Sequence, residues 1–307
     1  MKQSIILNFI ICLLLQTGLA QTYYYQPNDS AKLSSNSIHA TKNLGGIFSA
    51  HNGSYLDADD SGSPYSTKFK VDAPLIIGGV GLTAFGVYLI QHKKDLTPQE
   101  LANKSKGEVP FFDRSNTGFY SEKLNDDSYI PFFGSFGLPI VLGLIDKNER
   151  SKFGQILVLY TETMAITGSM FTIAAGAIHR SRPLVYGTKA PMSLRLAKKS
   201  QRSFYAGHTA ASAAATFFAA KVFQDFNPDS KARLYVWTVA AIVPAAVGYF
   251  RYKSGMHFLS DNILGYVLGA GTGILIPKWH KKGTMKNVEI TPETGINYRG
   301  ISLTYHF

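Results

Sequence analysis

Six apolar blocks, each close to the length of a membrane-crossing helix, constrain this chain more than any other feature. They cover residues 74–91, 129–145, 155–178, 206–223, 234–250 and 257–276. A helix needs roughly 20 predominantly apolar residues to cross the hydrocarbon core, where the backbone finds no water to bond. The first two blocks are short and interrupted by Gly and Pro. Small residues crowd the later ones, at 210–215 and 265–273, which lets helices approach closely in lipid. Only 17% of the 307 residues are charged, against roughly 25% in soluble domains. Soluble core helices would also need charged outer faces that these blocks lack. The expected fold is all-α: a polytopic membrane bundle of about six helices over residues 74–280.

The flanks differ from the bundle. Lys2, an apolar run from Ile5 to Leu15 and the small residues Gly18 and Ala20 before Gln21 describe a secretory signal peptide at 1–20. Its cleavage would remove Cys12, the only cysteine, so thiol nucleophiles and Cys-ligated metals drop out. Residues 21–73 are rich in Tyr, Ser, Asn and Gly and read as an exposed, loosely ordered segment. Asp57, Asp59, Ser61 and Gly62 imitate the opening of a calcium loop, but Lys68 stands where the loop needs a bidentate Glu. In the tail, 281–307, Ile301, Leu303, Tyr305 and Phe307 alternate with polar residues, a strand pattern, and Pro292 to Gly295 can turn a hairpin.

Chemistry-bearing residues gather at block ends. The net charge of +11 could suggest nucleic acid, but the arginines sit beside apolar segments, so the expected partners are the bilayer and a phosphate-bearing molecule, with no nucleic acid. After the third block comes His179-Arg180-Ser181-Arg182-Pro183, and Ser203-Phe204-Tyr205-Ala206-Gly207-His208 opens the fourth. Arg251 to Asp261 joins the fifth to the sixth. With the sixth helix starting near His257, Asp261 lies one turn on and can hold the imidazole in one tautomer, leaving the other nitrogen to attack. Arg182 and Arg251 supply planar forks that match phosphate oxygens. Gly207 lets backbone amides approach an oxyanion at a helix start, and His208 can protonate a leaving oxygen. Each feature also has a plainer reading: Arg180 and Arg182 as positive-inside residues, the His–Asp pair as a helix lock. Glu162, in the middle of the third block, reads as a structural partner of a polar neighbour, or as protonated.

Together these residues resemble the type 2 phosphatidic acid phosphatase superfamily, which includes membrane lipid phosphatases, glucose-6-phosphatase and vanadium haloperoxidases. Its motifs are K-x6-R-P, P-S-G-H and S-R-x5-H-x3-D. The chain offers Arg182-Pro183, Gly207-His208, and Arg251, His257 and Asp261 at the family spacing. Phe112-Asp113-Arg114 and Arg182-Pro183-Leu184-Val185-Tyr186 look like the bacterial lipid-phosphatase branch. The resemblance implies a phosphatase acting on a membrane lipid phosphate or diphosphate, with no metal or organic cofactor. His257 would form a phosphohistidine, Asp261 orient it, Arg182 and Arg251 clamp the phosphoryl oxygens, and His208 protonate the leaving alkoxide.

The chain departs from the pattern. Ala175 stands for the first motif's Lys, Tyr205-Ala206 for Pro-Ser, and Phe250 for the Ser before Arg251. Arg180, Lys253 or His179 are the candidates to compensate. The alternative function is a catalytically silent membrane protein that binds phosphate or lipid. The expected location is the bacterial inner membrane with the site facing the periplasm. That conflicts with a cleaved signal followed by six spans, which puts the motifs and the basic loop 189–202 inside. The conflict disappears if one of the first two blocks does not span.

Overall fold

The computed structural model describes residues 62–284, 288–294 and 299–305. The expected signal peptide, residues 21–61 and the acidic start of the calcium-like loop lie outside them. Among the described residues are six long helices: α1 (Phe69–Gln91), α2 (Tyr129–Ile145), α3 (Phe153–Ala177), α4 (Gly207–Phe226), α5 (Arg233–Lys253) and α6 (Leu259–His280). Five spans are long and apolar enough to cross a membrane: α1, α3, α5, α6, and Glu122–Ile145, in which a short helix leads into α2. The protein is an integral membrane helix bundle.

The fourth block becomes the centre. α4 packs against α2, α3, α5 and α6, and its face is built from Ala210, Ala213, Ala214, Ala215 and Ala220, all buried. Gly265, Gly269 and Gly273 of α6, spaced one turn apart, lie against it. A methyl group at these positions would come within 2.5, 2.0 and 2.5 Å of the carbonyl oxygens of Ala206, Ala210 and Ala214. Backbones this close gain van der Waals contact along the whole seam, which is how small residues join helices in lipid. By contrast, α1 leans chiefly on α3 and leaves Leu75, Ile77, Leu82 and Phe85 exposed, a surface suited to acyl chains.

Two boundaries differ from the sequence expectation. The bundle does not begin at residue 74: α1 starts at Phe69, and Tyr65, Thr67 and Asp72 are buried. The Tyr65 hydroxyl donates to Asp225 Oδ2 at 2.7 Å, so residues 63–73 are tied into the bundle rather than loose. The tail does form a hairpin, β1 (Val288–Thr294) against β2 (Arg299–Tyr305), antiparallel. Pro292 is not its turn; it lies inside β1 opposite Ile301, and Gly295 lies outside the described residues.

The helices alternate in direction. The C-terminal ends of α1, α3 and α5 therefore share one end of the bundle with the N-terminal ends of α2, α4 and α6. All three motif segments lie at that end. One crossing, α1, separates them from Phe69.

Candidate active site

Backbone hydrogen bonds draw the motif segments together. Residues 180–182 run beside 200–203: Arg182 N–H donates to Ser200 O (2.8 Å) and Ser203 N–H to Arg180 O (2.8 Å). Leu184 N–H donates to Gly255 O (3.1 Å), and Ala206 N–H to Asp261 O (3.1 Å). Gly255, at φ +74°, leaves no room for a side chain, since a Cβ there would sit 1.8 Å from Phe119 O. Asn116, from the loop before α2, donates to His257 O at 2.9 Å and to Tyr252 O at 3.1 Å, fixing the backbone under the histidine.

His257 is held differently from expectation. The helix starts at Leu259, not near His257, so Asp261 is its third residue and folds back to accept Phe258 N–H at 3.0 Å. The expected Asp261–His257 contact is replaced by one through Ser203. His257 Nδ1 faces the Ser203 carbonyl at 2.7 Å, and the Ser203 hydroxyl donates to Asp261 Oδ2 at 2.6 Å. A carbonyl oxygen only accepts, so Nδ1 carries the proton and the Nε2 lone pair is the reactive atom. Burial, together with the positive charges of Arg182 and Arg251, pushes His257 well below the ordinary histidine range. The imidazole is neutral at physiological pH.

Arg180 does not compensate for the missing lysine, because carboxylates occupy it. Its guanidinium pairs with Asp261 Oδ1 and with Asp113 Oδ2 at 2.5 Å, and stacks on Phe258 at 4.6 Å. Asp113 also accepts Ser260 N–H (3.0 Å) and the Ser260 hydroxyl (2.6 Å). Lys253 is spent on the rings of Phe119, Tyr249 and Tyr252. Ala175, at the motif lysine's position, is fully buried. One turn on, Lys93 from beyond the end of α1 donates to Ile178 O at 2.6 Å and Gln201 O at 3.2 Å. Burial and the charge of Arg202 lower Lys93 to about 8.

The other predicted residues converge on the same end. Arg182 (3% exposed) reaches Met256 Sδ at 3.2 Å, and Arg251 (0%) reaches Asn125 Oδ1 at 2.6 Å and Ser128 Oγ at 3.4 Å. Both act electrostatically on His257, as does His208. His208, in the first turn of α4, lies between the rings of Tyr129 (5.5 Å) and Phe132 (4.5 Å). Gly207 is demanded by packing: a Cβ would meet the Phe171 ring at 2.5 Å. Beside these residues lies a cavity of about 530 Å³, lined by Lys93, Lys104, His179, Arg180, Tyr186 and Phe258 among others.

Sequence reading missed the connecting residues Asn116, Asn125 and Ser128, and quoted Ser203 within a segment without giving it a role. It quoted Asp113 within a motif but gave it no role.

The fold defines a polytopic membrane helix bundle with a buried histidine set among buried arginines at one end. Residues 156–285, which hold all three motifs, match the model of the PAP2 superfamily. A solved structure, the transmembrane PAP2 type phosphatidylglycerolphosphate phosphatase from Bacillus subtilis, is similar over 67% of this chain and 96% of its own, at 20% identity and a TM-score of 0.43. No curated protein matches.

Proposed function

We propose that the protein removes phosphate from a membrane lipid phosphate or diphosphate through a phosphohistidine at His257. The observation that carries this reading is the state of that imidazole: neutral, with Nδ1–H committed to Ser203 O and two guanidinium charges acting on it. In the proposed first step the Nε2 lone pair attacks phosphorus. The bond to the leaving oxygen breaks, and His208, which takes up a proton together with the anionic substrate, donates it to that oxygen. Arg182 and Arg251 hold the phosphoryl oxygens, whose negative charge grows in the transition state. Gly207 opens α4, where backbone N–H groups face an anion. Water then cleaves the phosphorus–nitrogen bond and the imidazole returns neutral. Asp261 is a positioning residue, acting through Ser203. A lipid substrate is supported by the site's place at the ends of membrane helices. The phosphatase domain is taken as 74–280 with its anchoring residues from 63.

Purified protein in detergent, given phosphatidate and an isoprenyl diphosphate, is expected to release inorganic phosphate. His257→Ala should lower the rate at least about 10³-fold. The buried Ala175 and the sequestered Arg180 favour one alternative, a silent phosphate- or lipid-binding protein. Wild type that binds these lipids but releases no phosphate would establish that alternative and overturn the enzyme.

We place the protein in the bacterial inner membrane. Because both early blocks form span-length helices, a periplasmic site requires α1 to enter from the cytoplasm, which a cleaved signal does not give. A cysteine at Lys189 that reacts with an impermeant maleimide in spheroplasts, with one at Asp229 protected, supports the periplasmic site. The reverse pattern moves the site to the cytoplasm.

A further inference from the structure

The opposite end of the bundle holds a second cluster, unrelated to the three motifs. Asp72 from the first turn of α1, Glu162 from α3 and His280 at the last position of α6 bring one donor atom each to within 4.8 Å of one another. Nineteen helical residues separate Asp261 from His280, so this cluster lies about 28 Å from the candidate active site. We propose that Asp72, Glu162 and His280 form a binding site for one divalent cation of the zinc class, which pins α1 to α3 and α6.

The geometry argues for a cation from each side chain. His280 Nδ1 faces Ile276 O at 2.9 Å, so it carries the proton, and in the neutral ring Nε2 presents a lone pair. That lone pair meets Asp72 Oδ1 at 3.1 Å and Glu162 Oε2 at 3.5 Å. Three electron-rich atoms facing each other repel unless a positive charge lies among them. A metal-bound histidine commonly gives its other N–H to a backbone carbonyl, as here. Asp72 is oriented likewise, its second oxygen accepting Lys68 N–H at 2.8 Å. Glu162 supplies the independent sign of a missing ligand: it is 0% exposed, and neither of its oxygens makes a hydrogen bond. A buried carboxylate so placed is costly.

Charge and distance select the cation. An imidazolium would leave the cluster at −1, whereas a divalent ion with a neutral imidazole closes it at zero. Tetrahedral zinc bonds of about 2.0–2.1 Å place ligand atoms about 3.3 Å apart, between the two distances observed. One nitrogen with two carboxylates suits zinc and its first-row neighbours, while calcium and magnesium prefer oxygen alone. The α1 helix has most to gain, since it leans chiefly on α3.

The test uses full-length protein in detergent, stripped with chelator and titrated calorimetrically with Zn²⁺. One equivalent should bind with micromolar or tighter affinity. His280→Ala and Glu162→Gln should each weaken binding at least 100-fold while leaving the size-exclusion profile of the protein unchanged. Should either variant fail to fold, X-ray absorption of the zinc-loaded wild type decides: a first shell of nitrogen and oxygen with an imidazole signature supports the site. Absence of saturable binding, undiminished binding in both variants, a shell without imidazole, or equal competition by Mg²⁺ would each overturn it.

Discussion

Two histidines at opposite ends of the bundle, His257 buried and His280 partly buried, invite comparison. Each turns Nδ1 to a backbone carbonyl, His257 to Ser203 at 2.7 Å and His280 to Ile276 at 2.9 Å. In both, the backbone fixes the tautomer and leaves Nε2 as the working atom. Their surroundings have opposite sign. Arg182 and Arg251 act on His257, while Asp72 and Glu162 face His280. The same ring in the same tautomer is thereby prepared for an anion at one end and a cation at the other. The charges contributed by neighbouring helices, not the histidine, decide which.

The largest expected effect comes from removing a charge at the first end. Arg182→Gln should lower kcat/KM by about 10³-fold, because a phosphoryl contact that strengthens in the transition state is lost. It should also move the acid limb of the pH–rate profile to higher pH. The guanidinium holds His257 down, so without it the imidazole keeps its proton to a higher pH and is nucleophilic over a narrower range. Arg182→Lys keeps the charge but not the planar fork. Its rate should fall about 10²-fold with the acid limb unmoved. An unmoved limb in both variants would show that the arginine does not set the state of His257, and the contrast between the two ends would fail.

Much of this was legible in the sequence, for a physical reason. Lipid forces whole segments to be apolar, so the six blocks announced the six helices, and the small residues at 210–215 and 265–273 announced close helix packing without naming the partner. The motif residues were legible because they cap helix ends, where local spacing carries meaning. What was not legible is pairing across the chain. Asp113 meets Arg180 over 67 residues, Ser203 meets Asp261 over 58, and Asn125 meets Arg251 over 126. No periodicity records such partners. The Asp261–His257 expectation failed on a two-residue error in the helix start, which turned a neighbour on one face into a cap on its own backbone. The start of α1 was missed similarly: Lys68, Lys70 and Asp72 make it look polar, yet Asp72 is buried against His280.

The smallest expected effect lies again at the cation-facing end, where Glu149 joins α2 to α3. It is 1% exposed, and burial together with the nearby Asp146 raises its carboxyl to about 8. A carboxylic acid whose pKa is higher in the fold than in the unfolded chain favours folding in its protonated form. That contribution is complete below the ordinary value near 4.5, falls as pH rises, and is gone above about 8. Glu149→Gln keeps the shape and cannot ionise. Wild type and variant should match in stability at pH 4, and the variant should be more stable by about 2 kcal/mol at pH 6, following 1.36 kcal/mol per pKa unit. Thermal unfolding of the two proteins across pH 4 to 8 reads the difference directly, since carboxylates common to both cancel. A constant gap across that range would mean that Glu149 is charged in the fold.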